Sequence, residues 1–321
     1  MSDLGLELND WLATLREEYL GGFLREGGAS VKVAVVATPE AGAAVSERVL
    51  AEARDQGFWA AGVDAGLCKV HLLHNLFFEV ARQIEWDVLA RDFLRAELEA
   101  AGFRLPGGDS LDAGTVALVN DQHLTVVRQE LRMALTRGLM RDPGLSRQFR
   151  LGALAICQAE LQPDELRREL AQHVLSWLRG ELPRIGPLRD AFIYQRIDRH
   201  TARTMLLSTS AFIRKTGRQG LVVVVNVSRY SLPKPIDDGR NRYSKAAALD
   251  MWETLREFVD GTDDMQGAMF VFVTGPEFLE DEERGLRSYS ALHLRMTDDV
   301  RDRRHPNPLA PLVRIAEAGV C

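Results

Sequence analysis

The chain has 321 residues, of which 46% are hydrophobic and 27% charged, and carries a formal net charge of -6. That composition excludes a disordered chain, a collagen-like chain and a disulfide scaffold, and the length suffices for one large domain or two ordinary ones. With an acidic balance there is no global basic field, so any nucleic-acid contact has to come from a local patch. The three cysteines, Cys68, Cys157 and Cys321, show no metal-ligand spacing and no disulfide framework. They suggest a reducing compartment, and the expected location is cytoplasmic. The first residues, Met1-Ser2-Asp3-Leu4, lack the basic-then-apolar pattern of a signal peptide. The apolar runs 31–37 and 221–227 are too short to span a bilayer, so no membrane association is expected.

In chain order, Leu8, Trp11, Leu12, Leu15, Tyr19, Leu20 and Phe23 stand at helical spacing and predict an amphipathic helix over 6–24. The β-branched run 31–37 predicts a strand. Pro39 and Gly42 come next as turn residues, then a helical pattern over 43–56 and a second strand over 58–63, ending at Asp64. Strand, helix, strand argues for a parallel sheet. From about residue 70 to 217 helical patterns recur at 72–84, 86–101, 116–139, 151–160, 164–178 and 198–216, with Gly and Pro breakers between them. Strand signals return at 221–227 and 268–273 as continuous apolar runs, the pattern of strands covered on both faces. A polar loop over 231–243 and a helix over 244–259 lie between them, and the last strand candidate is 311–315. The expected fold is α/β: a parallel sheet of about five strands flanked by helices, with a large helical insertion. The expected division is 1–66 and 218–321 for the two parts of the α/β core, and 67–217 for the insertion.

The turn after the first strand is where a phosphate loop, G-x-x-x-x-G-K-[ST], would stand. Here the segment reads Ala37-Thr38-Pro39-Glu40-Ala41-Gly42-Ala43-Ala44. One glycine remains, Pro39 removes a backbone donor, Glu40 adds an anion, and Ala43 and Ala44 stand where a Lys and a hydroxyl would be needed. At the tip of the strand 221–227, where magnesium-binding and water-polarising acids would stand, the chain has Asn226 and Val227. An alternative is that neither segment was ever a phosphate site.

The C-terminal half carries a resemblance. Tyr194-Gln195-Arg196-Ile197-Asp198-Arg199-His200, Arg218-Gln219-Gly220-Leu221, Gly267-Ala268-Met269-Phe270 with Thr274-Gly275-Pro276-Glu277, Arg284-Gly285-Leu286-Arg287-Ser288-Tyr289 and Asn307-Pro308-Leu309 together resemble the bacterial P-loop ATP-binding proteins of BREX-type phage-defence systems. Weaker matches at Trp11, Tyr19 and 57–64 extend the resemblance over nearly the whole chain. It implies an AAA+/ORC-like ATPase fold, a role in defence against phage or plasmid DNA, and work inside a multi-protein complex. The family carries an intact Gly-Lys-Thr loop and an Asp-Glu pair; this chain departs at both, and Thr274 stands at the family's polar position after the fourth core strand. Losing several charge-assisted contacts, each worth about 1.5–3 kcal/mol, predicts weak or absent binding of ATP and magnesium and no turnover.

Other clusters carry lesser expectations. Arg196, Arg199, His200, Arg203, Arg214, Lys215 and Arg218 form a basic stretch around one helix, and Arg301, Arg303 and Arg304 a second cluster. Either could touch a protein partner or double-stranded DNA; the alternative is a solvated surface. Glu277, Glu280, Asp281, Glu282 and Glu283 suit a helix start better than a metal site, and His71 and His74 lack a third ligand, so no metal is expected. The five tryptophans are expected as core or interface anchors. The leading expectation is a degenerate ATPase-like subunit acting as scaffold or regulator beside other subunits of the same system, such as an active paralogue. The alternatives are an ORC-like DNA-binding module, and an active ATPase with a relocated lysine such as Lys69 or Lys215.

Overall fold

The β-branched segment that opens the core forms a strand paired in parallel on both sides, which is why it is buried from Ser30 to its end. The computed structural model describes residues 5–108, 111–234, 236–296 and 306–316. The elements, in order, are α1 (Leu8–Thr14), continued by a π-helical stretch (Leu15–Phe23), β1 (Ala29–Val35), α2 (Pro39–Asp55), β2 (Trp59–Asp64) and α3 (Leu73–Arg82). Next come α4 (Trp86–Ala100), α5 (Ala113–Val119), α6 (Leu124–Leu135), α7 (Arg147–Leu161), α8 (Glu165–Leu178) and α9 (Ala202–Lys215). The chain finishes with β3 (Leu221–Asn226), α10 (Ser228–Ser231), α11 (Lys245–Asp260), β4 (Ala268–Thr274), α12 (Glu277–Glu280), α13 (Ser290–Met296) and β5 (Leu312–Arg314). Two compact units result: Met1–Leu76 with Gln219–Cys321, and Phe77–Arg218.

The first unit holds a five-stranded, all-parallel sheet in the order β2-β3-β4-β1-β5. Alternation along the strands divides the side chains between two helical layers. Ala34, Val222, Val224, Met269, Val271 and Val273 share a cluster with Trp11, Leu12, Leu15 and Leu20 of the N-terminal helix and with Val45 and Val49 of α2. The other face meets α11, whose Phe258 ring lies 4.4 Å from Phe270 and 6.0 Å from Phe272. Burying each such side chain contributes about 1.5–3 kcal/mol.

The second unit is helical. Its aromatic core joins Trp86 and Phe93 of α4 to Phe149 of α7 and Phe212 of α9, with ring centroids 5.5–6.0 Å apart.

Several boundaries differ from the sequence pattern, and four of them have a clear local cause. The helix after β1 starts at Pro39 rather than 43, because Thr38 caps it and a proline at its first position needs no amide partner. β1 runs two residues earlier than 31–37, since pairing with β4 begins at Ala29↔Ala268. The pattern 116–139 is broken by a turn at 120–123, where Asp121 takes a left-handed φ of 50° and His123 caps α6. The helix expected from 198 begins at Ala202, because the Asp198 carboxylate binds the His200 and Thr201 amides and makes a turn. Among the described residues no helix is long and apolar enough to cross a membrane.

Candidate nucleotide crevice

The connection leaving β1 runs through α2 over β4 and β3 to β2, whereas β4 is followed by a connection past β1 to β5 on the opposite side. The chain thus departs in opposite directions from two neighbouring strands. The crevice beyond their carboxyl ends is where open α/β sheets bind ligands. Here Val36 donates its amide to Thr274 at 2.9 Å and Ile315 donates to Val35 at 2.9 Å, so β1, β4 and β5 end level with one another.

A turn of three residues, Val36 to Thr38, joins β1 to α2. A phosphate loop needs a longer arch of free amides opening onto a helix N-terminus. The Thr38 side chain instead accepts the Ala41 amide at 3.2 Å, Gly42 donates to the Thr38 carbonyl at 3.0 Å, and Pro39 has no N–H. Glu40 lies in the same first turn; its carboxylate suits the helix dipole but repels an anion. Gly42 is buried inside α2, and a Cβ there would meet Val36 Cγ2 at 3.4 Å and Val273 Cγ1 at 3.5 Å. Ala43 and Ala44 are exposed in the second turn. The helix-opening positions are Pro39 and Glu40, and Ala43 and Ala44, the positions expected to replace the lysine and the hydroxyl, follow one turn later.

At the end of β3, Asn226 Oδ1 accepts both the amide and the hydroxyl of Ser228, at 3.1 and 2.7 Å, and so starts the short helix α10. Val227 is buried and donates its amide to Val273 at 2.8 Å. Thr274 ends β4 fully buried, and its hydroxyl has no hydrogen-bond partner among the described residues. A cleft of about 380 Å³ opens beside this edge, lined by Val35 to Ala37, Pro276, Leu279 and the end of β5. Among the described residues Glu280 and Arg314 are its only charged side chains, so it offers no net positive charge to a triphosphate. As a cradle for magnesium and a triphosphate, the residues present are a poor fit.

The ends of β2 and β3 are closed by a latch. Asp64, last in β2, accepts the Gly66 amide at 2.7 Å and pairs with Arg240 at 3.1 Å. Arg229 pairs with Asp238 and donates to the Asn241 carbonyl at 3.2 Å, while Asn241 donates its amide to Gly66 at 2.9 Å. Beneath them Tyr230 stacks on Tyr243 at 3.8 Å and meets His71 Nδ1 at 2.8 Å. Burial lowers the His71 pKa and raises that of Tyr230, which keeps both neutral.

The remaining predicted residues are dispersed. Arg203, Arg214 and Lys215 lie on α9, and Lys215 pairs with Asp142. Arg199 precedes that helix and is exposed, its Nε 3.1 Å from His200 Nε2. Arg301, Arg303 and Arg304 lie outside the described residues. Lys69 is exposed in the loop after β2. Asp281 caps the Glu283 and Arg284 amides, and Lys245 and Arg287 pair with Glu283 and Glu282. Among the described residues no group of three or more potential ligands could hold a metal. Burial raises the Cys157 pKa, which leaves an inert thiol. Trp11, Trp86, Trp177 and Trp252 are buried and Trp59 partly so.

Sequence reasoning missed the Asp64–Arg240 pair and an exposed aromatic pair, Phe192 and Tyr194, in the helical unit. The Phe-x-Tyr alternation between Pro187 and a run of arginines was the available signal for the second; the first joins residues too distant in sequence to leave one.

No curated protein and no solved structure matches the chain significantly. The model of one family, the BREX system ATP-binding protein BrxC/D, matches residues 144–318, more than half of the chain. That stretch includes Asn226 and Thr274 but not the β1–α2 turn. With its five-stranded parallel sheet in the order of a P-loop NTPase, the chain belongs to the BrxC/D family of BREX system ATP-binding proteins.

Proposed function

We propose that this protein is a subunit of a BREX defence assembly that keeps the ATPase fold but does not turn ATP over, and that it works as a scaffold or regulator beside other subunits, among them an active ATPase. The observation that carries the reading is the three-residue turn between Val35 and Pro39 with its Thr38 cap. Phosphoryl transfer depends on positioning and charge stabilisation. A turn this short, with the Val36 amide given to Thr274 and the Ala41 amide to the Thr38 cap, next to Glu40 and without a lysine, supplies neither. Asn226 adds a neutral side chain, bonded to Ser228, where a metal-binding acid would stand.

Calorimetric titration of the pure protein with ATP and magnesium, together with a phosphate-release assay, tests the reading. No binding below millimolar ATP and no phosphate release are expected. Micromolar binding with steady turnover would overturn it. Size exclusion after co-expression with the genomic neighbours tests the scaffold role; the expected result is a stable co-eluting complex, and a lone monomer refutes it.

A further inference from the structure

We propose that the helical unit carries a binding site for single-stranded nucleic acid, in which an unpaired base stacks on Phe192 and Tyr194. This inference stands apart from the nucleotide crevice and does not depend on it.

The site begins with an unusual piece of backbone. Phe192 takes φ 58° and ψ 28°, a left-handed conformation that a bulky residue adopts at a cost of about 1–3 kcal/mol. Phe192 itself is 64% exposed, so its ring offsets none of that cost by burial. Ile193 next to it is fully buried and fixes the segment to the core, and Tyr194 emerges again, 59% exposed. Two aromatic faces are thus held in solvent by a buried anchor between them. They border a pocket of about 290 Å³ whose other walls are the start of α7 and the first turn of α9.

The polar groups of that pocket suit a base edge. Gln148 donates from Nε2 to Gln195 Oε1 at 2.7 Å. Gln148 Oε1 is buried and has no hydrogen-bond partner among the described residues. A buried acceptor without a donor costs free energy, and a ligand N–H aimed at it recovers that cost. The hydroxyls of Thr201 and Ser146 line the same pocket.

The rim supplies the charge. Arg147 lines the pocket and is exposed, Arg196 and Arg199 are exposed in the segment that follows Tyr194, and Asp198 is the only acid in the segment 191–203. Its carboxylate is engaged by the His200 and Thr201 amides and the Thr201 hydroxyl. Cations around paired aromatic faces are how proteins hold single strands, by phosphate contact and base stacking. A duplex keeps its bases stacked on each other and cannot offer one to Phe192.

The test is fluorescence anisotropy on the full chain at low salt, with labelled single-stranded DNA and RNA 12-mers, the corresponding duplex DNA, and a labelled proline-rich peptide. Binding of a single strand at least tenfold tighter than the duplex is expected, as each base stack is worth about a tenfold change. The DNA and RNA arms identify which strand is preferred. Phe192→Gly removes the ring while relieving the left-handed strain, so it is expected to melt no lower than the parent and to lose about tenfold or more in affinity. Tyr194→Ala should lose a similar factor, and Tyr194→Phe should retain binding. Equal affinity for duplex and single strand, single-strand binding indifferent to both Phe192→Gly and Tyr194→Ala, or capture of the proline-rich peptide instead would each overturn the proposal.

Discussion

The hydroxyl of Thr38 accepts the amide N–H of Ala41 at 3.2 Å, so the helix that leaves the first core strand is capped by its own chain. A helix N-terminus that binds phosphate keeps those amides for the ligand. The cap has a consequence for stability. Thr38→Ala is expected to destabilise the sheet unit by about 1 kcal/mol, and to leave ATP affinity as undetectable as before. Denaturant unfolding followed by calorimetry checks both. A gain of ATP binding in the variant would mean that the cap merely covers a working site.

Lys32 lies in β1, between β4 and the edge strand β5, and is 2% exposed. Its Nζ donates to the Tyr19 hydroxyl at 2.6 Å, to the Ala310 carbonyl at 3.0 Å and to the Leu309 carbonyl. It also sits 4.3 Å from the centroid of the Tyr19 ring. One ammonium thereby ties the N-terminal helix and the chain entering β5 to β1. Lys32→Met keeps much of the volume and removes the donors, leaving Ala310 without a partner for its carbonyl. Each orphaned group costs about 1–3 kcal/mol, so the melting temperature should fall by several degrees. Amide exchange at Leu312 to Arg314 should accelerate more than exchange in β3. An unchanged melting temperature would show that the lysine is dispensable.

These two residues also mark what could be read from the sequence. β3 and β4 were legible because strands covered on both faces are apolar throughout, and Leu221 to Val225 and Ala268 to Val273 have no charge among them. The helices of the second unit were legible from their period, apart from the break at Asp121 and the turn that Asp198 makes before α9. The start of α2 was not, since a proline after a strand reads as a turn until Thr38 is seen to cap it. Gly42 looked like the last glycine of a phosphate loop; it is a contact glycine facing Val36 and Val273. Lys32 interrupted a strand pattern without a visible reason, because its partners at Leu309 and Ala310 are 277 and 278 residues away. Asp64 and Arg240, 176 residues apart, were hidden in the same way. Local pattern carries local structure, and pairs closed by the fold leave no trace in it.

On α11, Glu253 receives two hydrogen bonds from Arg256, at 2.7 and 2.9 Å, and one from the Tyr289 hydroxyl. These hold its pKa down to about 2, against an ordinary 4.5, the arginine contributing most. A carboxyl with a depressed folded pKa stabilises the native state above its unfolded value and loses that contribution as pH falls. The window here runs from about pH 4.5 down to about pH 2. The side chain is 40% exposed, so screening limits the effect to about 1 kcal/mol or less. The melting temperature of the parent should therefore drop more steeply across that window than that of Glu253→Gln, and the two should run parallel above about pH 6. Parallel curves throughout would show that the carboxylate does not stabilise the fold.

Gly220 precedes β3 with φ +148°, and a Cβ at that position would collide with the carbonyl oxygen of Gly267, itself at φ +58°. The same carbonyl accepts the Leu221 amide at 2.9 Å and opens the pairing of β3 with β4, Leu221↔Ala268. It is backbone held by a ladder, so it cannot swing aside as a side-chain tip would. Gly220→Ala must either displace the first hydrogen bond of the two central strands or hold a strained backbone against a contact. Gly239 supplies the control: its φ is +73°, and among the described residues nothing lies within 4 Å of a Cβ built there. Gly239→Ala therefore carries the left-handed cost alone, about 1–2 kcal/mol. Gly220→Ala carries a clash and a lost ladder bond besides, and is expected to destabilise by at least about 1 kcal/mol more. Urea unfolding of both variants measures the difference, and equal losses would mean that the β3–β4 entry yields at no cost.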